Sequence, residues 1–263
     1  MGEVVSIAET SGFDAPTPGY TCSLGGATLN KVGTIEAAME RIQDGATLLM
    51  GGFGVCGIPE NLVRALQQRG TKNLTIVSNN AGVEGAGIGL LIENGQVRKM
   101  ISSYIGENKV LEQKVIAGEI EVELNPQGTL AERVRAGGAG IPAFFTPTGV
   151  GTPVAEGKET RNFNGRDYLM ETAIRGDVAF VKAYKADKHG NLVYRMTARN
   201  FNPVMATAAD FVVAEVEEIV EAGQLDAEQI VTPSVFVDMV IKGERYDKRI
   251  EKRVNRQKSG AGI

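Results

Sequence analysis

The 263-residue chain has no tryptophan, one histidine (His189) and two cysteines (Cys22 and Cys56). Two cysteines cannot build a disulfide scaffold or a zinc site. One histidine excludes most His-dependent metal clusters and weakens any Ser-His-Asp arrangement, so no metal site is expected. No apolar run approaches the roughly 18 residues of a membrane span. The first 30 residues hold no Lys or Arg. That argues against a secretory leader and a basic presequence, so a reducing cytoplasm is the expected setting. Positive charge is also short: 28 basic residues stand against 32 acidic, a net charge of −4. A duplex nucleic-acid binder shows a basic stripe instead. The one basic run, residues 242–258, has eight Lys/Arg against three acids. It reads as solvated surface, with contact to an acidic partner or phosphate as the alternative.

What the chain has in surplus is glycine. Its 33 glycines are well above the roughly 7 % of average usage and follow no collagen-like period. Hydrophobic residues make up 43 % and charged residues 23 %, an ordinary globular mixture. The surplus therefore points to tight turns and close backbone approaches.

Residues 1–30, rich in Gly, Ser, Thr and Pro, read as a weakly structured arm. Order begins after it. Ile35, Ala38, Met39 and Ile42 are spaced as one helix face, with Thr34 as N-cap and Asp44-Gly45 as stop. Residues 46–50 read as a buried strand, 60–69 as a helix led by Pro59, and 74–77 as a second strand. Further strands are expected at 97–104, 121–124, 177–181, 211–216 and 235–240, and helices at 109–117 and 128–136. A glycine cluster is expected at 137–142, and a hairpin at 160–169 turning on Asn164-Gly165. The alternation predicts an α/β fold: an open, mostly parallel sheet flanked by helices, with a small hairpin-containing extension. Ligands of such sheets sit at the carboxyl ends of the strands.

Two of those strand ends carry suggestive residues. Gly51-Gly52-Phe53-Gly54-Val55-Cys56-Gly57-Ile58-Pro59 follows the first strand. It is neither a dinucleotide fingerprint nor a Walker A loop, because the helix begins too late and no Gly-Lys-Ser/Thr follows. Gly51, Gly52, Phe53 and Gly54 read either as a plain turn or as a backbone cradle offering amides to a developing oxyanion. Asn79 and Asn80 end the second strand. They read as donors to a substrate carboxylate or thioester carbonyl, or as an Asx turn. Cys56 reads as a small buried side chain rather than a nucleophile, and His189 as a turn residue rather than a general base. Good cradles thus stand beside no evident nucleophile.

The stretch 44–59 resembles the signature of coenzyme A transferase family 1, in its A (alpha) half. Further segments agree in order: Ser78-Asn79-Asn80-Ala81-Gly82, residues 102–108, Pro126-Gln127-Gly128-Thr129, residues 137–144, Thr146-Pro147-Thr148-Gly149, Ala198-Arg199-Asn200-Phe201-Asn202 and Lys242-Gly243-Glu244. The resemblance covers residues 31–253 as one domain, leaving the arm and a tail at 254–263. It implies half of an enzyme, paired with a B (beta) subunit in an A2B2 assembly. In the family a glutamate of the B half attacks the acyl-CoA thioester, so no catalytic nucleophile is expected here. Glu93-Asn94-Gly95 spells part of the B motif but lacks its serine and lies past the matching turn, so Glu93 is rejected. The resemblance implies transfer of CoA from succinyl-CoA to a 3-keto acid such as acetoacetate, without a cofactor beyond the CoA thioester itself. Gln127, Gly138 and Gly140 are weaker candidates for the same cleft. Alternatives are a related transferase acting on 3-oxoadipate or short-chain acids, a non-catalytic partner protein, and a lone hydrolase.

Overall fold

The computed structural model describes residues 29–249. In chain order the elements are α1 (Ile35–Glu40), β1 (Thr47–Met50), α2 (Glu60–Arg69), β2 (Leu74–Val77), α3 (Gly89–Glu93), β3 (Val97–Ser102), α4 (Lys109–Ile116), β4 (Glu121–Leu124), α5 (Gln127–Gly138) and β5 (Ala143–Thr146). Then follow β6 (Thr160–Phe163), β7 (Arg166–Thr172), β8 (Gly176–Asp187), β9 (Leu192–Val193), α6 (Asn202–Ala206), β10 (Ala209–Val220) and β11 (Met239–Lys242). The main sheet runs β11-β10-β8-β1-β2-β3-β4, with β9 added against β8. Every pair along that path is parallel, and only the short β9 is antiparallel. The expected open parallel sheet is what forms.

The sheet is buried on both faces, as parallel sheets are. Strand periodicity sends Leu48 and Met50 into one core with Ile76, Phe180 and Leu62, and Leu49 into the other with Val77, Ala179, Leu130 and Met205. Helices α1 to α4 pack in succession on the first side, and α5 and α6 pack together on the second. Local signals hold where they are chemical. The Thr34 hydroxyl accepts from the Ala37 amide, and α2 runs from Glu60 to Arg69 with Gly70 left-handed behind it. Asn164 and Gly165 take φ of 53° and 82°, the type I′ geometry that joins β6 to β7. With β5 these form the small antiparallel sheet, carrying the edge-to-face rings of Phe145, Phe163 and Tyr168.

Three expectations are corrected, and one element is added. The last strand starts at Met239, not 235, because Pro233 launches a 3-10 turn over Ser234–Phe236 that leaves Val235 exposed. The span 137–142 is not one glycine loop: Gly137 and Gly138 are the last residues of α5. The basic run is not simply solvated as far as it is described. Glu60 accepts from the Asp247 and Lys248 amides, Asn61 from the Arg245 amide, and the Arg64 guanidinium donates to the Arg245 carbonyl. Residues 243–249 thus form a strap across the start of α2. Helix α3 is an addition that the glycines around it had masked. The arm through residue 28, Cys22, and the tail from residue 250 lie outside the described residues.

Candidate active site

Because the path strands are parallel, their carboxyl ends share one edge, and the segments leaving that edge are tied to one another. The Ser78 hydroxyl donates to the Met50 carbonyl at 3.0 Å, joining the ends of β1 and β2. The Ser102 and Ser103 hydroxyls donate to the Asn79 carbonyl, joining β2 to β3.

The loop after β1 is shaped by contacts that only glycine permits. A Cβ on Gly51 would overlap Asn202 Oδ1. Gly52 has φ +124°, and a Cβ there would sit 2.5 Å from Ile58 Cδ1. Gly57 has φ +68° and would meet the Ala198 carbonyl oxygen at 2.5 Å. Most of the loop's amides are used internally. Gly51 N–H donates to the Phe180 carbonyl, Gly52 N–H to Asn200 Oδ1 at 3.1 Å, and Phe53 and Cys56 exchange two bonds of 3.0 Å. Among the described residues no group accepts from Gly54 or Val55 N–H at the tip. Phe53 is half exposed beside them.

The other wall is the segment ahead of α6. Asn202 is fully buried; its Oδ1 accepts from Lys182 N–H at 2.7 Å, and its Nδ2 donates to the Gly57 and Ala198 carbonyls at 3.0 Å. Asn200 bonds both ends of the loop, donating to the Cys56 carbonyl at 3.0 Å. Neither asparagine is a candidate from sequence. The run 198–202 is visible there only as a resembling segment, and its contact with the glycine loop spans some 145 positions of chain.

Between these walls lies a cleft of about 740 Å³. Its apolar side is Phe53, Val55, Ile58 and Met196, and its charged side is Glu60, Glu217, Lys182, Arg195, Lys248 and Arg249. Lys182 Nζ donates to Glu217 at 2.9 Å and to the Ala183 carbonyl, and lies 4.6 Å from the centre of the Tyr246 ring. Burial pulls the Lys182 ammonium down, with Glu217 opposing it. Burial pushes the Glu217 carboxyl up, but bonds from Lys182 and Lys248 outweigh it and hold the group below the usual carboxylate range. Glu60 is occupied by Arg64 and the strap amides. Both carboxylates lining the cleft are therefore committed to partners within the chain. Behind the cleft, Glu215 is fully buried and accepts from Asn61 Nδ2 and Leu62 N–H at 2.8 Å; burial pushes its carboxyl up.

The candidates from sequence separate into three places. Phe53 lines the cleft within the Gly51, Gly52, Gly54 loop. Asn79 and Asn80 are buried at the same edge but do not line it. Asn80 Oδ1 accepts from Gly82 N–H at 3.2 Å, the Asx-type bond, and Asn79 Nδ2 faces Ser103 Oγ at 3.4 Å. Gln127 opens α5, just after the end of β4, and is exposed. Gly138 and Gly140 lie at the opposite edge. Helix α5 runs back along the sheet, and Gly138 packs on Thr207, just ahead of β10. The structure does not bring these two glycines to the cleft. Cys56 is exposed, against the buried reading, with Sγ 3.8 Å from Thr197 Oγ1. His189 sits in the turn after β8, where Asp187 accepts from its amide. Glu93 closes α3 and accepts from the Gly85 amide.

A parallel sheet thus carries a glycine loop of fixed shape at its carboxyl edge, and among the described residues both carboxylates lining the adjoining cleft are paired, the layout of a ligand-binding α/β protein. Residues 32–243 match the family model described as Coenzyme A transferase, and the chain belongs to that family. It is 59 % identical over 227 residues to the A subunit of the probable succinyl-CoA:3-ketoacid coenzyme A transferase of Bacillus subtilis, covering 86 % of this chain and 95 % of that one. It is 54 % identical over 229 residues to the human mitochondrial succinyl-CoA:3-ketoacid coenzyme A transferase 2, covering 80 % of this chain but 44 % of that one. Its fold matches an acyl-CoA transferase of E. coli O157:H7, solved as a thioester complex with CoA, with a TM-score of 0.72 at 23 % identity. That match covers 81 % of this chain and about half (47 %) of that one. Among the described residues no helix is long and apolar enough to cross a membrane.

Proposed function

We propose that this chain is the A (alpha) half of a succinyl-CoA:3-ketoacid CoA transferase, moving CoA from succinyl-CoA to acetoacetate together with a B subunit. The observation that carries the reading is the incomplete site: a preformed glycine cradle whose neighbouring carboxylates, Glu60 and Glu217, are already bound. A glutamate of the B subunit supplies the missing carboxylate. It attacks the succinyl-CoA carbonyl and expels CoA thiolate, leaving a glutamyl–succinyl anhydride. The thiolate attacks the glutamyl carbonyl, succinate leaves, and a glutamyl-CoA thioester remains. Acetoacetate takes the CoA by the reverse sequence. The thioester is exchanged rather than hydrolysed, so the reaction needs neither ATP nor a nicotinamide.

In this scheme the loop at Gly51, Gly52, Phe53 and Gly54 faces the partner's glutamate. The Gly54 and Val55 amides are the donors left for a substrate oxygen. Asn79 and Asn80 hold the strand-end rim on which the substrate is oriented, with Gln127 farther along the same edge, after β4. The pair assembles as A2B2 in the cytoplasm.

The test is reconstitution with the B subunit, followed by borohydride trapping of the acyl-enzyme. Transfer to acetoacetate, with the trapped glutamate in the partner, is the expected result. Transfer only to 3-oxoadipate or acetate moves the reading to a related transferase. Turnover by this chain alone overturns it. Asn80→Ala in an intact complex is expected to lower turnover about 10-fold, by loosening the rim; unchanged turnover removes Asn80 from the site.

A further inference from the structure

We infer that Asn200 is a positioning residue that sets the width and rigidity of the glycine loop, and through it the placement of the Gly54–Val55 tip. The inference rests on the transferase reading of that loop. One planar amide reaches both ends of it. Oδ1 accepts from Gly52 N–H at 3.1 Å, from Phe201 N–H at 2.7 Å and from Asn202 Nδ2 at 3.2 Å. Nδ2 donates to the Cys56 carbonyl at 3.0 Å and the Thr197 carbonyl at 3.2 Å. Gly52 precedes the Phe53–Cys56 hairpin and Cys56 closes it, so the amide spans the hairpin's base like a brace.

The chemistry of the five partners specifies the residue. An acceptor and a donor are needed a bond angle apart on a short stem, which asparagine alone supplies. Aspartate would set a carboxylate against two carbonyls. Gly57 makes room for the brace, since a Cβ there would lie 2.8 Å from Asn200 Nδ2. The backbone is strained by the placement: Asn200 has φ +24° and ψ −123°, a region that favours glycine. Glycine would relieve that strain but forfeit all five bonds, so the side chain is held in a costly backbone geometry by the brace it makes.

That conflict supplies the test. In the complex with the B subunit, Asn200→Gly relieves the backbone and removes the brace. The expected outcome is an unfolding midpoint close to that of the unaltered complex, the relieved strain offsetting the lost bonds. Amide exchange across residues 51–57 becomes about 10-fold faster or more. The kcat falls about 100-fold with KM within about 3-fold, as for a misplaced reacting group. Asn200→Asp keeps the acceptor side and loses the donor side, and its kcat relative to the unaltered enzyme is expected to rise as pH falls and the carboxyl gains a proton to donate. Unchanged exchange across 51–57, or unchanged kcat in Asn200→Gly, overturns the inference. If the unaltered complex transfers CoA to no acid, the function reading fails by itself, and the exchange measurement still decides whether Asn200 braces the loop.

Discussion

Two glycine clusters in this chain look alike in sequence and do different work. In the loop after β1, Gly52, Gly54 and Gly57 take positive φ, and Gly51 and Gly57 leave space that Asn202 and Ala198 fill. The result is a turn of fixed shape at the carboxyl edge of the sheet, with a cleft beside it. At the end of α5, Gly137 and Gly138 keep helical dihedrals and are glycine because the neighbouring chain passes too close. A Cβ on Gly137 would overlap the Ile174 carbonyl oxygen, and one on Gly138 would lie 2.7 Å from the Thr207 carbonyl oxygen. That second cluster seats a helix against the segments entering β8 and β10. Glycine thus reports a close approach without saying what approaches.

The contrast yields three ways to break it. The largest effect is expected from Gly137→Ala. Two backbones must separate, so the substitution should cost about 3 kcal/mol of stability, at the upper end for overpacking. Denaturant titration measures it, and turnover per folded complex should stay close to normal. Lost turnover at full stability would make the α5 cluster functional after all. Gly51→Ala should behave in the opposite sense. The added methyl displaces Asn202 from Lys182 N–H and Gly57, costing about 1–2 kcal/mol. Turnover should fall about 100-fold, beyond what the unfolded fraction explains. Activity that merely follows stability would reduce the cradle to a packing feature.

The smallest effect concerns the anchor of α5. Arg133 donates to Glu123 and Asn125 at 2.6 Å and to the Thr172 carbonyl at 2.7 Å, fastening the helix to β4 and β7. Burial raises the Glu123 carboxyl, but Arg133 and Lys99 outweigh it and hold the group at about 2. A carboxylate with a depressed folded pKa stabilises fully above the ordinary value of 4.5, and that contribution is lost as pH falls toward 2. Glu123→Gln should therefore cost about 1–2 kcal/mol at pH 7, allowing for solvent screening of a side chain 35 % exposed. The difference from the unaltered protein should close as pH falls from about 4 toward 2. A pH-independent difference would mean that shape, not charge, anchors the helix.

Much of the fold is legible in the sequence because it rests on local chemistry. The cap at Thr34, the span of α2 and the Asn164-Gly165 turn each follow from residues within a few positions of one another. Errors fall where a distant contact or a nearby turn overrides a residue's usual preference. Glycine is a poor helix former, so residues 137 and 138 read as loop; packing on Ile174 and Thr207 makes them helix. Val235 and Phe236 read as strand, yet Pro233 turns the chain. Cys56 reads as buried because cysteine usually is, but the hairpin of Phe53 and Cys56 turns it outward.

By itself the sequence determined the layering. Buried runs such as Leu48-Leu49-Met50 demand a sheet covered on both faces, and parallel pairing puts every loop that can hold a ligand at one edge. It also placed a glycine-rich turn at this edge, open between a plain turn and a cradle, and its segments resemble one transferase family. Only the tertiary structure decided what closes the cradle, Asn200 and Asn202 from the far side of β8, and which glycines belong to it. Those choices depend on contacts between positions from about forty to about 150 residues apart, where no local propensity or spacing carries information.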